Sequence, residues 1–191
     1  LKAVLRDRDR VFARSLKDLP GYDKAGKFPI GPMKIPFKPN PKPYCQPPRR
    51  YSDMENDIRN EKCTELAGAG IIVPSSSNRY ALNTTMPGKK DAQGNWTERR
   101  FCVDARPKNE NTEADPYRIP LPEELFQRVG SSTFLTKLDL RAAYHQIPLA
   151  PEDQEKTSFW WGHELWMYTR MFYGMKNATA QFQKTMDYHL Q

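Results

Sequence analysis

Phe134-Leu135-Thr136-Lys137-Leu138-Asp139-Leu140-Arg141-Ala142-Ala143-Tyr144-His145-Gln146-Ile147 is the stretch on which the reading of this chain turns. Its first six residues alternate well enough for a strand that delivers Asp139 at its C-terminal end. A carboxylate leaving a buried strand between Leu138 and Leu140 costs free energy unless a cation meets it. A divalent metal ion and a nearby Arg or Lys both satisfy that demand, and the local pattern leaves the choice open.

Upstream, Pro120 and Pro122 open a helix whose Leu121, Leu125 and Val129 share one face, and Gly130 closes it. Downstream, two short strands bracket Trp161-Gly162-His163-Glu164. A last helix starts at Asn177, a good N-cap, and places Phe182, Met186 and Leu190 at helical spacing; it reaches Gln191 without a stop signal. Nearer the N-terminus, prolines every few residues from Pro29 to Pro48 forbid helix and favour extended chain. Ser52-Asp53-Met54-Glu55 reads as a capping box for a helix with Met54, Ile58 and Leu66 as its apolar stripe and Gly68 and Gly70 as its stop. Ile71-Ile72-Val73 is a short strand ended by Pro74. Tyr80 to Met86 and Arg99 to Asp104 read as two strands of a hairpin, joined by the polar loop Gly88 to Glu98.

The 191 residues carry 30 Lys+Arg against 23 Asp+Glu, a formal charge of +7. The first 50 residues alone hold 13 Lys+Arg against 4 Asp+Glu and 9 of the 17 prolines, so the charge sits in a leader that suits either a phosphate-bearing partner or a solvated linker. No run of about 18 apolar residues is present, which excludes a spanning helix. Cys45, Cys63 and Cys102 form no CxxC pair, so neither a disulfide framework nor a zinc finger is supported and a reducing compartment fits. A start without Met suggests an internal piece of a longer reading frame. Lys89, Lys90, Arg99, Arg100 and Arg106 converge on the presumed hairpin, as a phosphate cradle or as a solvated basic face. Tyr144, Trp160, Trp161, Trp166, Tyr168, Phe172 and Tyr173 are dense enough to stack bases, or to fill a core. No Gly-rich phosphate loop, nucleophile elbow or HExxH occurs.

Several ordered motifs then carry a resemblance. Gly70-Ile71-Ile72-Val73-Pro74-Ser75-Ser76-Ser77, Lys89-Lys90-Asp91 and Arg100-Phe101-Cys102-Val103-Asp104-Ala105-Arg106 resemble the fingers of a reverse transcriptase. Leu138 to Ile147 resembles its first catalytic motif, and Gly174-Met175-Lys176-Asn177-Ala178-Thr179-Ala180-Gln181-Phe182-Gln183 the motif that follows. The style is that of Gypsy-type long-terminal-repeat retrotransposon Pol polyproteins, over about residues 33–191, with Val11-Phe12 onward similar to the linker after the protease.

The resemblance implies an α+β, right-hand polymerase fold with fingers and a truncated palm only. Residues 1–32 would be a basic linker, 33–113 and 147–177 the two parts of the fingers, 114–146 the first part of the palm, and 178–191 the start of its second segment. It implies RNA-directed DNA polymerase activity by two-metal nucleotidyl transfer in the complete enzyme, with a non-catalytic nucleic-acid-binding remnant of a decayed element as the alternative. Asp139 would be the catalytic metal ligand and Leu140 a second ligand through its carbonyl, to Mg²⁺ or to Mn²⁺ in its place. Lys89 and Arg100 would hold the triphosphate, Ala143 and Tyr144 the floor of the nucleotide pocket, Tyr173 and Gly174 the turn over the nucleotide, and Asp104 and Arg106 the template base. The implied partners are an RNA or DNA template-primer, deoxynucleoside triphosphates, and the rest of the Pol polyprotein (remaining palm and RNase H), with no membrane. An intracellular place follows, in the cytoplasm as part of a virus-like particle or in the nucleus, and not secretion. This chain departs from the family at Phe172-Tyr173-Gly174, where Pro-Phe-Gly is usual, and at Thr179, where Pro is usual. The aromatic-x-Asp-Asp motif does not occur in these 191 residues, so activity of this piece alone is not expected.

Overall fold

The computed structural model describes residues 15–18, 30–77, 79–130, 132–137 and 139–190. Most of the basic leader, including Val11-Phe12, lies outside the described residues, as do Leu138 and Gln191 and the side chains of Lys89 and Leu190. Among the described residues no helix is long and apolar enough to cross a membrane.

Proline spacing keeps the segment after Pro32 extended. It contributes β1 (Tyr44–Cys45) and the single bridges Met33 to Leu149 and Phe37 to Thr112. The Ile35 amide donates to the buried Asp153 carboxylate at 2.7 Å, and Lys156 Nζ donates to the Ile35 carbonyl at 2.8 Å. Met33 and Ile35 are thereby pulled into the main core with Leu66, Ile71, Ile72, Leu82, Phe159 and Met171.

Helix α1 (Asp53–Gly68) starts on the expected capping box. Ser52 Oγ accepts from the Glu55 amide at 3.4 Å, and the Ser52 amide donates to Glu55 Oε2 at 3.1 Å. The inner face, however, is Arg59, Cys63 and Leu66, while Met54 is 63% exposed. An arginine takes an inner position because its guanidinium lies 4.6 Å over the Tyr51 ring and donates to Asn56 Oδ1 at 2.6 Å. Ser52→Ala removes the acceptor of the Glu55 amide at the helix start and is expected to lower stability by about 1 kcal/mol. Urea unfolding checks this, with a lower midpoint and an unchanged slope.

Beyond α1 come β2 (Ile72–Pro74), β3 (Tyr80–Ala81), β4 (Thr84–Thr85), β5 (Gly88–Lys90), β6 (Trp96–Arg99) and β7 (Cys102–Val103). The expected two-strand hairpin is split. β4 pairs with β7, and the supposed loop holds its own ladder of β5 against β6. Asp91 turns that ladder, its Oδ1 accepting from the amides of Gln93 and Asn95 at 2.9 and 2.8 Å. The sequence of this strand pair lacks the apolar alternation by which strands are read, so its composition reads as loop.

Helix α2 (Arg106–Asn111) follows β7, then α3 (Pro122–Val129), a 3₁₀ turn over Ala143–Gln146, α4 (Pro151–Gln154), β8 (Phe159–Trp161), β9 (Glu164–Tyr168) and α5 (Ala178–Leu190). β2, β9 and β8 form an antiparallel sheet in that order, and β1 pairs parallel with β3.

The clearest correction concerns residues 134–140. No strand forms among those described; Phe134 is 92% exposed, and Leu135, Asp139 and Leu140 are exposed too. Leu121, Leu125 and Val129 do share the α3 face, but it is uncovered. A strand needs a hydrogen-bonding neighbour and a covered face, and the described residues supply neither here. The expected start of the last helix holds: α5 begins just after Asn177, whose carbonyl accepts from the Gln181 amide at 3.0 Å. The buried Asn177 side chain accepts from the Asp115 amide at 3.1 Å and donates to the Glu113 carbonyl at 2.8 Å, so it anchors residues 113–115 to the helix start.

Candidate functional site

The 3₁₀ turn after Asp139 is entered through Ala142 in the left-handed region, φ +46°. That conformation costs a non-glycine residue about 1–2 kcal/mol. It is held by the His145 amide donating to the Ala142 carbonyl at 2.8 Å and by Gln146 Nε2 donating to the Arg141 carbonyl at 2.8 Å. The turn leaves Ala143 and Tyr144 half-buried while His145 goes into the core, where Nδ1 contacts the Met171 carbonyl at 2.8 Å. Burial pushes the His145 pKa down, so the imidazole is neutral and structural.

Tyr144 meets the turn before α5 and the first turns of α5 itself. Its ring centroid lies 5.0 Å from Tyr173 and 5.8 Å from Phe182, and its hydroxyl is 3.2 Å from Thr179 Oγ1. A proline at 179 has no hydroxyl, so the departure at Thr179 supplies this contact. Tyr173 is 57% exposed, and Gly174 follows at φ +92°, a conformation that suits glycine. Tyr144, Tyr173 and Gly174 are therefore brought together.

Asp104 and Arg106 form a second group. Arg106 Nε and Nη2 donate to the two Asp104 oxygens at 2.8 and 2.6 Å, a bidentate pair. Arg106's side-chain hydrogen bonds hold the Asp104 carboxyl below the usual range. Arg49 Nη2 stands 3.9 Å from Asp104 Oδ2 as well, so one buried carboxylate faces two guanidiniums.

The basic hairpin forms a third group. Gly88 pairs with Arg99, and the Arg100 amide donates to the Pro87 carbonyl at 3.0 Å, so Arg100 stands at the end of a ladder whose register shifts between Gly88 and Lys90. Arg100 is exposed; the Lys89 side chain lies outside the described residues. Arg99 is engaged with Glu55 at 2.9 Å and so ties the hairpin to α1.

Asp139 and Leu140 stand at the surface, and both offer hard oxygens of the kind Mg²⁺ prefers. Among the described residues no cluster of three or more His, Cys, Asp or Glu could hold a metal ion. Asp153 is committed to Ile35 and Lys156, and Asp187 accepts from Tyr117 Oη at 2.6 Å and Gln183 Nε2 at 2.7 Å.

Sequence reasoning missed Arg49, Asn109 and Lys108. Lys108 is 1% exposed, with Nζ 5.7 Å from the Phe172 ring centroid, and burial pushes its pKa down to about 7. Nothing in a short polar run such as Arg106 to Asn111 marks which member turns inward.

The model of the family described as reverse transcriptase (RNA-dependent DNA polymerase) matches residues 88–191. The chain is 38% identical over 134 residues to the retrovirus-related Pol polyprotein from transposon gypsy of Drosophila melanogaster, covering 69% of this chain and 13% of that protein. It is 38% identical over 140 residues to the transposon Tf2-3 polyprotein of Schizosaccharomyces pombe, covering 73% and 10%. With polyprotein P3 of Commelina yellow mottle virus the identity is 28% over 200 residues, covering 94% and 10%. The chain thus spans 10–13% of the length of these relatives. In fold it is similar to the crystal structure of prototype foamy virus protease-reverse transcriptase (CSH mutant), with a TM-score of 0.71 at 19% identity, covering 97% of this chain and 24% of that one.

Proposed function

The chain belongs to the reverse transcriptase (RNA-dependent DNA polymerase) family, and from that premise we propose that it serves RNA-directed DNA synthesis as the nucleotide- and template-holding part of a Pol polyprotein. In this reading residues 33–113 and 147–177 are fingers, and 114–146 and 178–191 belong to the palm. Deoxynucleoside triphosphates and an RNA or DNA template-primer are the substrates.

The observation that carries it is the Tyr144–Tyr173 pair, two rings 5.0 Å apart, the first five residues after Asp139 and the second beside a glycine turn and partly open to solvent. A ring held there by Phe182 and Thr179 would floor the nucleotide pocket and exclude a 2′-hydroxyl by volume alone. Arg106, charge-paired with the buried Asp104, would support a template base. Arg100, exposed on a hairpin tied to α1, offers a guanidinium to a triphosphate.

Asp139 and the Leu140 carbonyl would hold Mg²⁺, or Mn²⁺, which when bound activates a primer hydroxyl and stabilises the leaving pyrophosphate. Two divalent ions side by side need several anionic oxygens. Asp139 supplies one carboxylate, so residues 1–191 by themselves are not expected to catalyse. The alternative, a nucleic-acid-binding remnant, has no observation that favours it.

The test is Tyr144→Val in the full-length protein that carries these residues. Ribonucleotide incorporation relative to deoxyribonucleotide is expected to rise about tenfold or more, since a free-energy difference of about 1.4 kcal/mol suffices for that factor. Unchanged discrimination in a folded, active variant would make Tyr144 a packing residue and remove the pocket assignment.

A further inference from the structure

Two hydrogen bonds cross from α2 to the turn after Tyr173. Asn109 Nδ2 donates to the Gly174 carbonyl at 2.7 Å, and Asn109 Oδ1 accepts from the Lys176 amide at 3.0 Å. One side-chain amide thus clamps both ends of the Gly174–Lys176 backbone. Lys176 Nζ adds a third link, donating to the Thr112 carbonyl just past α2 at 2.7 Å. Asn109 is itself fixed, its amide donating to the Ala105 carbonyl at 2.8 Å, one turn from the Asp104–Arg106 pair.

We propose that Asn109 is a positioning residue for the nucleotide pocket, acting through the Gly174 turn; this rests on the functional reading above. The turn carries Tyr173, and Tyr173 packs on Tyr144. Phe172 and Met175, buried on either side of the turn, anchor its ends, but the Gly174 backbone sits at φ +92° with nothing within 4 Å of the place a Cβ would take, so no side chain holds it from that side. Asn109 takes up that role through directional bonds. It also joins, on one short helix, the template-side pair at the N-terminal end to the nucleotide-side turn. A shift of the template platform is thereby passed to the rings that would contact the incoming sugar. Asparagine meets the requirement because one planar amide both donates and accepts.

The experiment is steady-state primer extension by the full-length protein, with Asn109→Ala and Asn109→Asp. Asn109→Asp keeps the shape and the acceptor for the Lys176 amide but sets a carboxylate oxygen against the Gly174 carbonyl. Both variants are expected to raise the KM for deoxynucleotide at least fivefold, with kcat changed less than twofold and template-primer Kd unchanged. A merely structural role would lower active enzyme and so reduce kcat while sparing KM. KM within twofold of wild type in Asn109→Asp, with wild-type activity present, overturns the inference alone. Absence of template-directed synthesis by the wild-type protein overturns the functional reading and the inference with it.

Discussion

Asp139→Asn is expected to abolish primer extension by the full-length protein, a loss of roughly 10³-fold or more, since even partners of metal ligands are worth about 10–100-fold. The substitution keeps the shape and removes the anionic oxygen that a hard divalent cation requires. Asp139 is exposed, so its replacement falls among surface changes, which commonly move stability by no more than about 0.5 kcal/mol. Template-primer binding and the melting temperature should therefore stay with wild type while turnover vanishes. Extension on an RNA template with Mg²⁺ measures it. Turnover within tenfold of wild type would remove Asp139 from the chemistry, and extension by residues 1–191 alone would show that the carboxylates are already complete.

The second large effect concerns stability. Lys108→Met should stabilise the fold at neutral pH by roughly 2–4 kcal/mol, on a scale of about 1.4 kcal/mol per unit of pKa displacement reduced for relaxation around a buried charge. Burial lowers the Lys108 pKa to about 7. Between that value and the ordinary lysine value, the unfolded chain holds a proton that the folded chain lacks. Folding stability then rises with pH across this window and is lowest at and below about pH 7. Methionine has similar length and no charge, so the variant should lose that slope as well as gain stability. Urea midpoints at several pH values check both. Equal midpoints and equal slopes would mean that the amine is not desolvated.

The sequence made the helices legible wherever a local rule sufficed. The capping box at Ser52, the proline start of α3 and the Asn177 region each depend on a few neighbouring residues. The α+β class and the family were also legible, because motifs such as Leu138 to Ile147 and Gly174 to Gln183 fix chemistry at spaced positions. Partnered features were not. Residues 134–140 have strand composition, yet pairing is a property of a neighbour, and none is present among the described residues. Arg59 and Lys108 go inward because Tyr51 and Phe172 offer them aromatic faces, contacts from outside their own helices. In the candidate site, the residue types of Asp104, Arg106 and Tyr144 carried the reading. Asn109 was invisible because its importance lies in a turn 65 residues away.

The extended segment that carries Met33 and Ile35, a strap tied to Asp153, bears on how the chain folds as it is made. Its anchor, the Ile35 amide on Asp153, joins positions 118 residues apart. At about 5–20 residues per second, synthesis needs roughly 6–24 s to bring Asp153 out after Ile35. Through that interval the capping box of α1 can already form, since it depends on neighbours, while the strap has nothing to dock on. A segment made before α1 thus settles after it, and a ribosome pausing between the two positions would lengthen the time that Met33 and Ile35 stay open to chaperones.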